Sequence, residues 1–235
     1  MIRTILFDSG RVLNRPVSGS WFIPPNFFKY VDRKRFYAVP VLKRKWAFKK
    51  AGDYINKQNL ILNEKDEYIC FVKYYSIFST NIPELKMGNK EIGAAAQDLV
   101  YYYNKYSFYD DAVNLIPKLS EKYKLAVVSD AWPSLESVFK TAGFRKYFSS
   151  FVISSVHGVT KPNKIMYNTA LHELGVLPGE AVFIDDNVKN CAGAKELGLQ
   201  SIVLCRSFSM YMYNKLFCRN YRIIRNLNGL ERYIV

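Results

Sequence analysis

The amino-acid sequence predicts an α/β fold: a parallel sheet with helices on both faces and an all-helical segment inserted near the N-terminus. Short apolar runs that end in polar turns are typical of buried parallel strands. Stretches with the apolar spacing of a helix lie between these runs, and strands that alternate with helices predict a parallel sheet. A third observation is a long early stretch with helical spacing alone, which predicts the insert.

Composition narrows the class of protein. The chain has 235 residues, of which 49% are hydrophobic, so it can bury a sizeable core and is not typical of a disordered protein. Four cysteines without a Cys-x-x-Cys pair and only two histidines argue against a zinc site or a disulfide framework, and favour a reducing, cytoplasmic compartment. No apolar run reaches the roughly 18 residues of a membrane span, so we expect no membrane partner.

The predicted strands are short. The first covers residues 2–7 and stops at Asp8. The others are predicted at residues 125–128, 151–153, 181–184 and 201–204. Between them, apolar stripes indicate helices that end at Gly143 and at Gly175, since glycine is favoured just past a helix end. Near the C-terminus, Leu227, Leu230, Tyr233 and Ile234 predict a short helix that docks on the core.

The early stretch, residues 16–108, has a different pattern. It opens with a loop rich in proline and aromatic residues and continues with helical spacings. The residues predicted to share helix faces are Ala47, Phe48, Ala51, Tyr54 and Ile55; Tyr68, Phe71, Tyr75 and Phe78; and Ile92, Ala96, Leu99 and Tyr103. We therefore predict a Rossmann-like core built from residues 1–15 and 109–235, with residues 16–108 as a helical module.

Polar residues follow the predicted strands at the edge where ligands bind in open α/β sheets. They are Asp8 after the first strand, Ser129 and Asp130 after the second, Lys161 after the third, and Asp185 and Asp186 after the fourth. Gathered carboxylates would raise each other's pKa, and a hard cation such as Mg²⁺ removes this repulsion. An amine adds a charge for a phosphate or carboxylate, and a carboxylate beside Mg²⁺ can attack phosphorus.

The order of these segments resembles the haloacid dehalogenase superfamily over nearly the whole chain. The segments are Ile-Leu-Phe-Asp-Ser-Gly-Arg-Val-Leu at residues 5–13, Val-Val-Ser at 127–129, Lys-Pro at 161–162 and Phe-Ile-Asp-Asp-Asn-Val-Lys-Asn at 183–190. The last, followed by Gly193 and Gly198, is the most specific of them. The helical module resembles the type-one cap of that family.

The resemblance implies a role for each residue. Asp8 is expected to be the nucleophile, Ser129 to hold the phosphoryl oxygens, and Lys161 to neutralise Asp8 and the substrate. Mg²⁺ is expected to bind Asp8, the carbonyl of Gly10 and Asp186, with Asp185 acting through water. Two further candidates for substrate binding are left open: Arg11 is equally explained as a solvated loop residue, and Asp130 as a helix cap.

Gly10 departs from the family pattern. Most phosphatases of the superfamily carry a second Asp two positions after the nucleophile, which protonates the leaving group; here that position is Gly10. Losing such a group costs a factor of roughly 10² to 10⁴. The dehalogenase branch also lacks this Asp, but it is metal-independent and does not keep the pair Asp185-Asp186. Some sugar-phosphate phosphatases have Gly or Asn there, and the chain resembles that group most. Gly10 is also the residue of this loop at which a positive φ is expected.

The predicted function is hydrolysis of a small phosphorylated metabolite, dependent on Mg²⁺, through an aspartyl-phosphate. The alternatives are a haloacid dehalogenase-like hydrolase and a phosphate-binding protein with weakened catalysis. The net charge of +14 and the basic, aromatic run at residues 43–50 are seen in nucleic-acid surfaces. A solvated helix face explains them more simply, so nucleic acid is not an expected partner. No pattern in the sequence fixes an oligomeric state.

Overall fold

A computed structural model describes residues 1–58 and 60–234 of the chain. In this part of the chain the strands are β1 (Thr4–Phe7), β2 (Asn14–Pro16), β3 (Tyr106–Phe108), β4 (Lys124–Ser129), β5 (Ser150–Ile153), β6 (Ala181–Asp185), β7 (Gln200–Leu204) and β8 (Arg222–Ile224). Six of them form one parallel sheet in the order β5-β4-β1-β6-β7-β8, while β2 and β3 pair separately as an antiparallel ribbon. The predicted α/β class is confirmed.

The helices lie between these strands. They are α1 (Phe27–Tyr30), α2 (Arg33–Ala38), α3 (Val41–Ile55), α4 (Glu64–Asn81), α5 (Asn89–Tyr101), α6 (Asp110–Ser120), α7 (Ser134–Thr141), α8 (Ser154–His157), α9 (Lys164–Leu174), α10 (Val188–Glu196), α11 (Phe208–Phe217) and α12 (Glu231–Ile234). The five predicted strands are confirmed with small shifts in their bounds, and β2, β3 and β8 are additional. Strand β8 has three residues, too few to give an alternating pattern.

The sheet is covered on both faces, which explains why its strands are continuously apolar. All four residues of β1 are buried. Successive side chains point to opposite faces, so Ile5 and Phe7 pack in one cluster with α6, while Leu6 packs in another with α9. The C-terminal prediction is also confirmed, because Leu227, Leu230 and Ile234 are buried against the first of these clusters.

The inserted segment has an apolar core of its own, in which α3, α4 and α5 pack together. The predicted faces of α3 and α4 are buried in it, including Ala47, Ala51 and Phe71. The third prediction is wrong at its end: α5 stops at Tyr101, so Tyr103 lies beyond it in a 3-10 turn.

The ribbon of β2 and β3 lies where the chain leaves and re-enters the core, with Asn14 opposite Phe108 and Pro16 opposite Tyr106. The division into a core of residues 1–15 and 109–235 and a cap of residues 16–108 stays a prediction. The expectation that residues 16–108 are all helical is wrong at the end of the segment, where Tyr106–Phe108 forms β3. In the described part of the chain, no helix combines the length and the apolarity that crossing a membrane requires.

Candidate active site

The carboxyl ends of three neighbouring strands form the candidate site. Strand β1 lies between β4 and β6, with Phe7 opposite both Val127 and Ile184. Starting from β1, the chain adds its next strands on one side of the sheet and its later strands on the other side. Open α/β sheets bind ligands at the position of this change. The residues that follow these strands, Asp8 and Asp185 among them, are therefore brought to one edge of the sheet.

Lys161 is the buried cation of the site. Its Nζ donates hydrogen bonds to Oδ1 of Asp8 at 2.6 Å, to Oδ2 of Asp185 at 2.8 Å and to the carbonyl of Val128 at 2.9 Å. Its side chain is only 1% exposed. The hydroxyl of Ser129 donates to the same Oδ1 of Asp8, at 3.2 Å. These two contacts fix the Asp8 carboxylate through one oxygen, and Oδ2 takes no part in them.

The loop that carries Lys161 is held from two sides. The backbone N–H of Lys161 donates to Oδ1 of Asp130 at 2.9 Å. On the other side α10 packs against Pro162, and a Cβ at Gly193 would lie 2.5 Å from the Cβ of Pro162. A side chain at Gly193 would therefore push the loop away, so this glycine permits the position of Lys161.

Asp185 is saturated with hydrogen bonds inside the protein. Besides Lys161, its Oδ2 accepts from Nδ2 of Asn190 at 3.0 Å, and its Oδ1 accepts from the backbone N–H of Asn187 at 2.7 Å. Asp185 therefore orients Lys161, and its action on a metal through water stays a prediction. Asn190 lies in the segment 183–190 that resembles the family, but it was not predicted as a site residue. Its position near the start of α10, close behind Asp185, is the feature from which it could have been predicted.

Oxygen atoms of Asp8, Asp185 and Asp186 lie within 4.8 Å of one another. Burial raises the pKa of Asp8 to about 7; the charge of Lys161 opposes this rise and the charge of Asp185 adds to it. Burial and the neighbouring Asp185 also raise the pKa of Asp186. Burial disfavours the charged form of Lys161, but Asp8 and Asp185 outweigh it and raise the Lys161 pKa. The cluster thus holds more buried negative charge than Lys161 compensates.

This donor set fits Mg²⁺, which prefers carboxylate and carbonyl oxygens. A divalent cation would stabilise the ionised carboxylates, which burial and, to a smaller extent, their mutual repulsion disfavour. Arg11 lies at the rim, where its guanidinium is 3.5 Å from Oδ2 of Asp186 and its side chain is 67% exposed.

The expectation of a positive φ at Gly10 is wrong. The left-handed residue of this turn is Arg11, with φ 61°, and Gly10 is not among the positive-φ residues of the described chain. The side chain of Trp21 is the constraint instead, because a Cβ at Gly10 would lie 3.3 Å from two carbon atoms of the indole ring. The indole of Trp21 therefore lies against the position where most phosphatases of the family place their second Asp.

A cavity of about 320 Å³ lies in front of these residues. The predicted site residues that line it are Asp8, Gly10, Arg11, Ser129, Asp130, Lys161, Asp185 and Asp186. The rest of its lining is mixed: it includes the aromatic residues Trp21, Phe22, Tyr106 and Trp132 beside small polar residues such as Ser9, Asn14 and Ser134. None of these four aromatic residues was predicted as a site residue, because they reach the cavity only through the tertiary fold.

Comparisons with known proteins agree with this architecture. A family model for haloacid dehalogenase-like hydrolases matches residues 72–198, more than half of the chain. The chain therefore belongs to the haloacid dehalogenase-like hydrolases. The resemblance of the ordered segments to that superfamily is confirmed, and the finer likeness to its sugar-phosphate phosphatases stays a prediction.

Among curated relatives, glyceraldehyde 3-phosphate phosphatase from Methanopyrus kandleri is 31% identical over 119 residues, which cover 48% of this chain and 51% of that protein. The (S)-2-haloacid dehalogenase of Xanthobacter autotrophicus is 29% identical over 102 residues, covering 43% of this chain and 40% of that protein. The chain thus matches about half the length, or less, of these relatives.

Two solved structures share the fold. The L-2-haloacid dehalogenase of Xanthobacter autotrophicus, with chloropropionic acid covalently bound, has a TM-score of 0.64 at 18% identity and covers 100% of this chain and 98% of that one. A haloacid dehalogenase family enzyme from Bacteroides thetaiotaomicron, in complex with magnesium and inorganic phosphate, has a TM-score of 0.58 at 19% identity and covers 86% and 94%.

Proposed function

We propose that this hydrolase is a Mg²⁺-dependent phosphatase that acts on a small phosphorylated metabolite. The observation that carries the proposal is the cluster of Asp8, Asp185 and Asp186, three carboxylates that line one cavity. The buried Lys161 pairs with Asp8 and Asp185 only, and the exposed Arg11 lies 3.5 Å from Asp186. Such an excess of buried negative charge is costly unless a cation joins it. A site for a cation beside a nucleophile suits an anionic, phosphorylated substrate.

The chain's own residues provide the steps of phosphoryl transfer. Asp8 attacks phosphorus, the ester oxygen departs with the alcohol, and water then hydrolyses the aspartyl-phosphate. Lys161, held 2.6 Å from Asp8, and the hydroxyl of Ser129 are placed to bind the phosphoryl oxygens. Arg11 and Asp130 line the cavity, and we propose that they contact the substrate beyond the phosphate.

Asp8, Asp186 and the Gly10 carbonyl would hold Mg²⁺, with Asp185 acting through water. When bound, the metal supplies positive charge that stabilises the developing charge on the phosphoryl oxygens. Two of the similar proteins support this proposal. The Methanopyrus kandleri relative is a phosphatase named for glyceraldehyde 3-phosphate, which supports a small phosphorylated substrate. The Bacteroides thetaiotaomicron structure contains magnesium and inorganic phosphate, which supports the metal.

Dehalogenation is the second candidate, because a relative and a structural neighbour are haloacid dehalogenases and Gly10 provides no leaving-group acid. In that reaction Asp8 attacks carbon and a halide leaves. The pair Asp185 and Asp186 favours the phosphatase, since a halide departing from carbon creates no need for a divalent cation beside the nucleophile.

The experiment is a screen of phosphorylated metabolites with Mg²⁺ and with EDTA, run beside a halide-release assay on 2-chloropropionate. We expect phosphate release that requires Mg²⁺ and disappears in Asp8→Asn, with no halide release. Halide release in the absence of Mg²⁺ would overturn the phosphatase proposal in favour of a dehalogenase. Phosphate binding, measured by calorimetry, without turnover of any ester would make the chain a phosphate-binding protein.

A further inference from the structure

We propose that the substrate is a phosphate monoester of a phenol, whose flat aromatic leaving group lies between the aromatic walls of the cavity and departs without a protein acid. This inference rests on the phosphatase activity proposed above and specifies its substrate class. Two independent features carry it: the side chain that lies beside Gly10, and the set of aromatic side chains that line the cavity.

The first feature concerns the leaving-group acid. Position 10 has no side chain, and the indole of Trp21 lies 3.3 Å from where a Cβ would be. This arrangement places an apolar ring, which cannot donate a proton, beside the position from which an acid would act. Losing a general acid costs roughly 10² to 10⁴ in rate for a leaving group that needs protonation. A substrate whose leaving group is stable as an anion avoids this cost.

Two polar groups near this wall are alternatives to the absent acid. Burial raises the pKa of Tyr106 above its ordinary value, so its phenol is a poor proton donor. Asp130 lines the cavity, and burial raises its pKa, although the charge of Lys161 and the hydrogen bond from the Lys161 backbone N–H oppose this rise. Asp130 is therefore the carboxyl group to test as a competing acid.

The second feature is an aromatic wall whose side chains are fixed by one another. The ring of Trp21 packs edge-on against Tyr106 at 5.0 Å between centroids, and Trp132 packs edge-on against Phe22 at 5.9 Å and Phe71 at 5.0 Å. The loop between them is anchored where the hydroxyl of Tyr75 donates to the carbonyl of Phe22 at 3.0 Å. Aromatic surfaces held in place in this way favour a flat, apolar ligand at low entropic cost.

The reaction then balances without a protein acid. As the bond between an Asp8 oxygen and phosphorus forms, the bond from phosphorus to the phenolic oxygen breaks, and its electron pair leaves with the phenolate. A phenol has a pKa of about 10, whereas aliphatic alcohols lie several units higher. The phenolate takes a proton from solvent. Water then attacks phosphorus, the Asp8 carboxylate is regenerated, and the proton of the water passes to solvent.

The first experiment compares four phosphate compounds in kcat/KM, which reports the step that releases the leaving group. Phenyl phosphate has an aromatic leaving group that is stable as an anion, and benzyl phosphate has an aromatic group on an aliphatic oxygen. Glyceraldehyde 3-phosphate is neither aromatic nor activated, and acetyl phosphate is activated without a ring. We expect phenyl phosphate to exceed benzyl phosphate by about 10²-fold or more. The two should have similar KM values, well below that of glyceraldehyde 3-phosphate.

The results separate the two proposals. If no compound releases phosphate, the phosphatase proposal itself fails. If phosphate is released but glyceraldehyde 3-phosphate or acetyl phosphate has the highest kcat/KM, the phosphatase proposal stands and the phenolic substrate class is overturned. A pre-steady-state burst of phenol would support the class, since it would show that the phenol leaves before the aspartyl-phosphate is hydrolysed.

Variants test the two features separately. Trp132→Leu should raise the KM of phenyl and benzyl phosphate about tenfold and leave acetyl phosphate unchanged. Trp46→Leu, at a half-exposed position on α3, is the matched control and should change none of them. Equal KM changes for all compounds would show a merely structural effect and contradict the aromatic wall. Trp21→Leu gives the same test should Trp132→Leu fail to fold.

The double variant Gly10→Asp/Trp21→Leu supplies an acid and the room that it needs. It should increase kcat/KM for benzyl phosphate by up to about 10²-fold and for phenyl phosphate much less. An unchanged ratio between the two in a folded variant would overturn the argument from Gly10. So would a selective loss of benzyl phosphate turnover in Asp130→Asn, because Asp130 would then be the acid that we infer to be missing.

Discussion

Two clusters of buried charge lie close together in this molecule, and they differ in balance. The site cluster, defined as Asp8, Asp185, Asp186 and Lys161, has three carboxylates for one buried amine. The junction cluster, defined as Glu67, Ser134 and Lys105, has one carboxylate and one amine joined by a hydroxyl. Glu67 lies on α4 of the insert and Ser134 on α7 of the core, so the junction cluster ties the two parts together.

The junction cluster is satisfied by its own members and by the nearby backbone. Ser134 donates its N–H and its hydroxyl to the two oxygens of Glu67, at 2.8 and 2.6 Å. Nζ of Lys105 donates to the Ser134 hydroxyl at 2.7 Å and to the carbonyl of Leu99 at 2.5 Å. The difference teaches that buried charge alone does not mark a functional site. An excess of carboxylates over buried cations, as in the site cluster, is the feature that indicates a binding site for a cation.

The sharpest test of this contrast is neutralisation of one carboxylate in each cluster. Asp8→Asn should lower phosphate release by a factor on the order of 10³ or more, because no covalent intermediate can form. Glu67→Gln should keep turnover within about tenfold of the wild type, since it removes charge from a structural contact. Steady-state kinetics on phenyl phosphate measures both, and a comparable loss of activity in Glu67→Gln would break the distinction.

The second test removes the cation of the junction cluster. Lys105→Met leaves Glu67 buried without an amine, and breaking such a buried arrangement costs about 3–5 kcal/mol. The double variant Lys105→Met/Glu67→Gln should recover part of this loss, because no uncompensated charge remains. Urea denaturation gives the free energies of unfolding. A double variant as unstable as the two single losses added together would show that the residues do not act as a unit.

The third test adds the cation that the site cluster calls for. A ligand that binds only the folded state at 100 times its Kd stabilises it by about 2.7 kcal/mol. Saturating Mg²⁺ should therefore raise Tm by several degrees in the wild type, and not in Asp186→Asn. NaCl at equal ionic strength controls for screening. An equal rise in the variant would place the metal elsewhere.

The fourth and smallest expected effect is the pH dependence of the junction cluster. Burial raises the pKa of Glu67 from 4.5 to about 7, so the folded state binds more protons and the free energy of unfolding falls as pH rises from 4.5 to 7. Burial lowers the pKa of Lys105 from 10.5 to about 8, so stability returns between pH 8 and 10.5. After relaxation each effect is on the order of 1–2 kcal/mol.

Glu67→Gln provides the check on this profile. It should abolish the fall in stability between pH 4.5 and 7 and keep the rise above pH 8, as followed by Tm in a series of buffers. A wild-type profile that is flat between pH 4.5 and 7 would contradict the raised pKa of Glu67. The neighbouring charges of Glu64 and Asp98 are unchanged in this comparison.

The sequence predicted the site cluster better than the junction cluster, for a topological reason. Asp8, Ser129 and Asp185 each follow an apolar run, and a parallel sheet necessarily brings such positions to one edge. Glu67 and Lys105 carry no such signal, since their meeting depends on how the insert packs onto the core. The same holds for Trp21, whose contact with Gly10 depends on the path of the loop that follows β2.

The ribbon of β2 and β3 has a consequence for the order of folding. Strand β1 must pair with β4, whose residue Lys124 lies opposite Thr4, so a long stretch of chain has to be closed before the sheet can form. The helices of the insert pack on one another around an apolar core of their own, and pairing of Asn14 with Phe108 joins the two ends of that stretch. Once the ribbon has formed, the closure entropy left for β1 and β4 is that of a short loop. The insert and its ribbon thereby bring β1 and β4 together. We therefore expect the insert to fold before these two strands pair.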